Sequence, residues 1–221
     1  MVSWLNGVLE GLGEANKKLI AEVATYEVTD PTVDSQMLQL KRTEANVFIN
    51  ITTPKFAAQA IKKAGEIGWK PAHYLVNIGA SIGAVMKPAG VENSQGIITA
   101  DYKMDPTEPR LANDPEYIQW RAWFDKYLPS ANPADAGNVT GWAEGHLVVA
   151  ALRRCGDELT RENVMVSAAS LKNFRIPMLV KGLLVNTGPN DFAPMKSLQF
   201  ARFVGEHWEP FGELMTYEKK K

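Results

Sequence analysis

The stretch ANVFINITTPKFAAQAIKKAGEIGWKPAHYLVNIGASIG, residues 45–83, spells out one β-α-β unit. Val47-Phe48-Ile49-Asn50-Ile51-Thr52 is a β-rich run, and Thr53-Pro54 supplies an N-cap followed by proline at the first helical position. Phe56, Ala57, Ala60, Ile61, Ala64 and Ile67 then recur at helical spacing until Gly68 ends the helix. The run His73-Tyr74-Leu75-Val76-Asn77-Ile78 reads as the next strand. Strand, crossover helix and strand of these lengths imply parallel pairing, so the carboxyl ends of both strands open on one edge. Ligands of open α/β sheets bind at that edge. The polar residues reaching it are Thr52, Thr53 and Asn77.

Upstream, residues 3–13 form an amphipathic helix with Trp4, Leu5, Val8, Leu9 and Leu12 on one side. It has neither the cationic start nor the cleavage site of a signal peptide. A strand is expected at 19–27, and Asp30-Pro31 opens a helix carrying Val33, Met37, Leu38 and Leu40. After the β-α-β unit comes a short helix at 81–86, broken at Pro88, and a strand at 96–100. This alternation predicts a parallel α/β layer sandwich. A domain of that kind ordinarily opens with a strand, so a start inside a helix leads us to expect the latter part of a longer protein.

From Asp101 the texture changes. DYKMDPTEPRLANDP reads as a linker, with Asp101 and Asp105 as solvated acids. Helices follow: one capped by Asp114 with Tyr117, Trp120, Phe124 and Leu128 on a single face, one at 140–154, and one from Thr160. The 140–154 helix carries Trp142, Ala143, His146, Leu147, Ala150 and Ala151 on its buried side. Without strands of their own, these helices are expected to leave that aromatic face exposed. β texture returns at 182–186 and 198–204, with a hairpin through Gly205-Glu206.

Composition removes several function classes. Apolar residues make up 45 % and charged residues 22 %, with a net charge of −1, so no basic excess points to nucleic acid. The Lys219-Lys220-Lys221 end is expected to be a solvated tail. No apolar run reaches membrane-spanning length, so no membrane insertion is expected. The single cysteine, Cys155, cannot form an internal disulfide and reads as a helix-end packing residue. His73 has no second ligand spaced to complete a metal site, and neither metal nor cofactor is expected.

Gly79-Ala80-Ser81-Ile82-Gly83 matches the G-x-S-x-G nucleophile elbow and lies between a strand and a helix. Its partners are weak. His146 sits on an apolar helix face, His207 falls in a surface hairpin, and no glycine-rich oxyanion segment follows an early strand. A serine hydrolase built on Ser81 is therefore the alternative reading. The same small-residue turn can instead bring backbone N–H groups close to a ligand carboxylate, or simply connect strand to helix.

The phrases TYEVTDPTVDSQMLQLKRTEANVFINITTPKFAAQAIKKAGEIGWKP (25–71), GWAEGHLVVAALRRCGDELTRENVM (141–165) and FAPMKSLQFARFVGEHWEPFGELM (192–215) together resemble one family. It is that of type I periplasmic substrate-binding proteins of ABC transporters, in particular the branched-chain amino acid (leucine/isoleucine/valine) binding group. The resemblance implies a periplasmic-binding-protein-like I fold, with a small solute held in a cleft between two α/β lobes and delivered to a membrane permease. It implies that 1–104 is the second lobe, 105–175 a helical segment of the first, and 176–221 closing strands. On this reading the signal peptide, the first-lobe sheet and the first strand of the second lobe are absent from the chain. The intact receptor is then periplasmic and non-catalytic, holding its solute partly through Thr52, Thr53 and Asn77. Amino-acid binders of the family commonly carry an acid at the position of Asn77, so the neutral amide favours a small organic acid, including an aromatic one. A cytoplasmic ligand sensor of the same fold is a further alternative.

Overall fold

A computed structural model describes residues 2–217, so the terminal lysines lie outside the described residues. The chain divides into two compact units, one of residues 1–99 with 203–206, the other of 100–202 with 207–221. Among the described residues the secondary structure is mixed α/β, with five strands.

Unit 1 contains α1 (Val2–Leu12), α2 (Asp34–Lys41), β1 (Val47–Asn50), α3 (Pro54–Glu66), β2 (Ala72–Leu75), the one-turn α4 (Lys87–Ala89) and the start of β3 (Ile98–Asp101). β1 and β2 are parallel with Phe48 opposite His73 and Asn50 opposite Leu75, and β2 is parallel to β3 with Leu75 opposite Thr99. Alternation along both strands turns Phe48, Asn50, His73 and Leu75 inward. α3 follows because Pro54 presets the first turn and Phe56, Ala57, Ala60, Ile61 and Ala64 form a single buried stripe. It stops in a Schellman motif: the Gly68 N–H donates to the Gly65 carbonyl at 3.1 Å and the Trp69 N–H to the Ala64 carbonyl at 2.9 Å. Gly68 takes φ +65°, which a side chain would resist. Trp69 then folds back beside Phe48, with ring centroids 5.2 Å apart. Each large side chain of this core contributes about 1.5–3 kcal/mol by leaving water.

Two expectations for unit 1 are corrected. The 19–27 strand does not form: a 3₁₀ turn runs Glu14–Leu19, and the residues after it are extended without a ladder. β1 is an edge strand with a free side, yet 19–27 does not add to it, and Tyr26 docks on the Phe56 ring with centroids 4.4 Å apart instead. Nor does Pro88 break the 81–86 helix. That segment is a π turn, Ile82–Met86, which runs on into α4 and ends at Gly90 with φ +92°. The wide turn, in which the Met86 N–H reaches the Ser81 carbonyl at 3.2 Å, suits a following proline that has no N–H to donate.

Unit 2 contains α5 (Pro115–Tyr127), α6 (Gly137–Cys155), α7 (Arg161–Ala168), most of β4 (Ser197–Val204) and β5 (His207–Thr216). Asp114 caps α5 by accepting from the Glu116 N–H at 2.8 Å, and Thr160 caps α7 by accepting from the Asn163 N–H at 3.2 Å. The aromatic face of α5 is not exposed. Trp120 and Phe124 are fully buried against Leu111, Val139 and Met178, with Tyr117 and Trp142 at the margin. Residues 171–185 provide the cover for α6: Leu171, Ile176, Leu179, Leu183 and Val185 pack on Ala143 and Leu147. The 182–186 strand is reduced to one antiparallel bridge, Phe174 to Val185.

The 101–115 segment is not a solvated linker. Asp101 pairs with Lys103 at 2.7 Å, and both side chains are largely buried. Asp105 is buried and accepts from the Thr107 N–H and hydroxyl. Buried Glu108 pairs with Arg110 at 2.6 Å and accepts from the Trp208 N–H at 3.0 Å. These carboxylates close the backbone turns that the prolines open.

Candidate functional site

The carboxyl ends of β1 and β2 lie side by side because the strands are parallel and in register. Strand β1 stops at Asn50, so Thr52 and Thr53 occupy the link into α3; β2 stops at Leu75, so Asn77 opens a 3₁₀ turn, Asn77–Gly79. All three side chains are half-buried.

A hydrogen-bonded chain anchors Thr52. Its hydroxyl donates to Asn50 Oδ1 at 2.7 Å, and the Asn50 amide lies 3.2 Å from His73 Nε2. Burial pushes the His73 imidazole down to about 3, so at neutral pH it is uncharged and Nε2 accepts the amide proton. Asn50 is 1 % exposed, and both of its polar atoms are satisfied by this chain. Because the Thr52 proton points inward, the hydroxyl presents lone pairs outward and acts as an acceptor.

Thr53 is held differently. Its backbone N–H donates to the Tyr26 hydroxyl at 2.9 Å, and that hydroxyl lies 3.4 Å from Thr53 Oγ1. The Thr53 side chain makes no capping bond to α3, so its own proton is available to a ligand. Among the described residues the Asn77 amide has no side-chain partner, while its backbone carbonyl accepts from the Ala80 N–H at 3.1 Å. The edge thus offers an outward acceptor, a donor and an uncommitted amide beside the N-terminus of a thirteen-residue helix. Free N–H groups there add positive potential.

Sequence reasoning places the three residues correctly at the strand ends but misses Asn50, His73 and Tyr26. Strand alternation holds the missing signal, because Asn50 follows Phe48 by two and His73 precedes Leu75 by two, which turns both polar groups inward as diagonal neighbours.

Ser81 serves the backbone. It is buried, accepts from the Ala84 N–H at 3.3 Å and caps the π turn with φ −61°, without the strained geometry of a nucleophile elbow. In the same unit, His73 is committed to Asn50. Cys155 is buried, with Sγ 3.2 Å from the Ala151 carbonyl, a packing contact. No group of three metal-ligating side chains occurs among the described residues, and no helix among them is long and apolar enough to cross a membrane.

A family model described as periplasmic binding protein matches residues 6–206. Solved structures share the fold. A branched chain amino acid ABC transporter protein from Thermus thermophilus, with bound valine, superposes with a TM-score of 0.74 at 16 % identity over 88 % of this chain and 52 % of that one. An extracellular ligand-binding receptor from Rhodopseudomonas palustris HaA2 gives 0.69 at 21 % identity, covering 93 % of this chain and 59 % of that one. A fatty acid ABC transporter substrate-binding protein from Thermomonospora curvata gives 0.65 at 18 % identity, covering 87 % and 49 %. The chain spans about half the length of the solved proteins it matches. A search of curated proteins finds no match in sequence.

Proposed function

Since the chain belongs to the periplasmic binding protein family, we propose that it forms part of a solute receptor of an ABC importer, with unit 1 as a ligand-holding lobe. The observation that carries this reading is the convergence of Thr52, Thr53 and Asn77 at the carboxyl ends of adjacent parallel strands, each with hydrogen-bonding capacity left over. The receptor works in the periplasm by closing on a small solute and docking on a membrane permease, without catalysis.

The chemistry of the edge favours a small organic acid over an ordinary α-amino acid. A buried ammonium needs a charged acceptor, because an unpaired cation costs several kcal/mol away from water. Asn77, Thr52 and Thr53 are neutral, and the α3 N-terminus favours the negative end of a ligand. Among similar solved proteins, one holds bound valine and another is a fatty acid transporter's substrate-binding protein, which supports leaving both ligand classes open to this fold. Calorimetric titration of the full receptor with leucine, valine, benzoate and 4-hydroxybenzoate tests the preference. At least tenfold tighter binding of an organic acid is expected, and Asn77→Glu is expected to shift preference towards the amino acids. Tighter binding of leucine or valine than of every acid tested would overturn the ligand class.

A further inference from the structure

Unit 2 carries a depression of about 260 Å³ on α6, lined by His146, Arg153, Arg154, Leu171, Lys172 and Phe174 among others. Its construction is local. His146 and Arg153 lie seven residues apart on one face of α6, and the Phe174–Val185 bridge fixes the strip that forms the opposite wall. The cations are placed by bonds to neutral groups: Arg154 donates to Ser170 Oγ at 3.3 Å and Lys172 to the Thr187 carbonyl at 3.2 Å. Among the described residues none of the three forms an ion pair, and no carboxylate lines the depression. The two arginines are tolerated there partly because they end α6, where the helix dipole is negative. The floor is apolar and aromatic, with Leu171 buried and the Phe174 ring half-buried. His146 stands edge-on to Trp142 at 4.5 Å, and burial together with the Arg153 charge lowers its pKa, so it enters as a neutral hydrogen-bonding ring.

We propose that this depression is a second binding site, taking a small organic dianion with an apolar body, such as an aromatic dicarboxylate. Three unpaired cations around an apolar floor match two carboxylates on a hydrophobic frame: the guanidinium groups bind carboxylates in bidentate fashion, and the ring stacks. The proposal does not depend on the solute site of unit 1, since every residue it uses lies in unit 2.

The test is heteronuclear NMR titration of the chain with terephthalate, with inorganic phosphate and benzoate as separate arms. Terephthalate is expected to move the resonances of His146, Leu171 and Phe174, and to bind more tightly than either comparison ligand. Arg153→Gln or Lys172→Gln is expected to weaken it about two- to fivefold each, as suits exposed charges, and both together about tenfold. Both side chains are exposed, so these substitutions leave the fold intact. Equal binding of phosphate would reduce the site to bare charge and overturn the claim of an organic ligand. Shifts confined to Thr52, Thr53 and Asn77 would overturn the site in unit 2 while supporting the solute site of unit 1.

Discussion

Unit 1 buries neutral polar groups inside a sheet, whereas unit 2 buries ion pairs where irregular segments meet helices. In unit 1 the inward polar residues are Asn50, His73 and Thr99, joined to Thr52 and to the Leu75 carbonyl. In unit 2 Arg175 grips Glu116 with two nitrogens, at 2.8 Å in its shortest contact, and also donates to the carbonyls of Leu179, Val180 and Leu183. Lys181 joins both Asp114 and Glu116. The first arrangement orders the side chains behind the carboxyl edge of β1 and β2. The second clamps a loop that covers a core, with Met178 held at φ +68° and fully buried. In both, folding lowers the pKa of a central group, but from different ordinary values, 6.5 for His73 and 4.5 for Glu116.

That difference gives the largest expected effect. The His73 pKa falls from 6.5 to about 3 on folding, because burial disfavours the cation. The unfolded chain therefore binds a proton below 6.5 that the folded chain refuses, so stability is lost as pH falls through the window from 6.5 to about 3. The loss runs at up to about 1.4 kcal/mol per pH unit. Urea unfolding of wild type and His73→Gln at pH 7, 6, 5 and 4 checks it. The wild type is expected to lose stability along this slope and the variant to lose far less, since a glutamine can still accept from Asn50. Equal slopes would show that His73 is not the group responsible.

The ion-pair clamp of unit 2 is expected to respond at lower pH. Burial alone would raise Glu116, but the hydrogen bonds from Arg175 and the Met178 N–H outweigh it and hold the carboxyl below its ordinary 4.5. The clamp's contribution is complete above 4.5 and is lost as pH falls below it. Arg175→Ala is expected to cost about 2–3 kcal/mol, since it leaves a partly buried carboxylate and three carbonyls short of donors. Thermal denaturation at pH 7 measures the loss. A second scan at pH 3.5 should show a smaller gap between variant and wild type, because below 4.5 the unfolded chain takes up a proton at Glu116 that Arg175 resists in the folded wild type.

How far the sequence discloses each unit follows the same division. The β-α-β unit is legible because its helix stripe, its proline at N1 and its terminating Gly68 all speak for themselves at short range. The helices from Asp114 and Thr160 are legible through their caps. What escapes depends on partners distant in sequence. Residues 19–27 have the composition of a strand, yet they leave the free edge of β1 unpaired and are held through Tyr26 on Phe56 and Thr53 instead. The acids of 101–108 look solvated by composition, yet they close turns and meet Lys103, Arg110 and the Trp208 N–H. The aromatic face of α5 looks unpartnered until Met178, more than fifty residues on, is found against it. At the candidate site the outward residues are legible from the strand ends, whereas the Asn50–His73 pair behind them requires the register as well.

The smallest effect separates the two threonines, whose sequence context is nearly the same. Replacing Thr52 by valine keeps the shape but removes the donor to Asn50 Oδ1, an atom within a residue that is 1 % exposed. An acceptor left unsatisfied in that position costs about 1 kcal/mol or slightly more. Replacing Thr53 by valine removes only a long contact with the Tyr26 hydroxyl, because the 2.9 Å bond from the Thr53 N–H belongs to the backbone and survives. Its expected cost is below about 0.5 kcal/mol. Chemical denaturation of the two variants in parallel measures the difference, and hydrogen exchange of the Val76 amide, which donates to the Asn50 carbonyl, locates it. Faster exchange at Val76 in Thr52→Val but not in Thr53→Val would tie the outward hydroxyl to the inner pair. Equal costs and equal exchange would mean that Thr52 is held by the chain path alone, and that its lone pairs have no fixed direction at the strand edge.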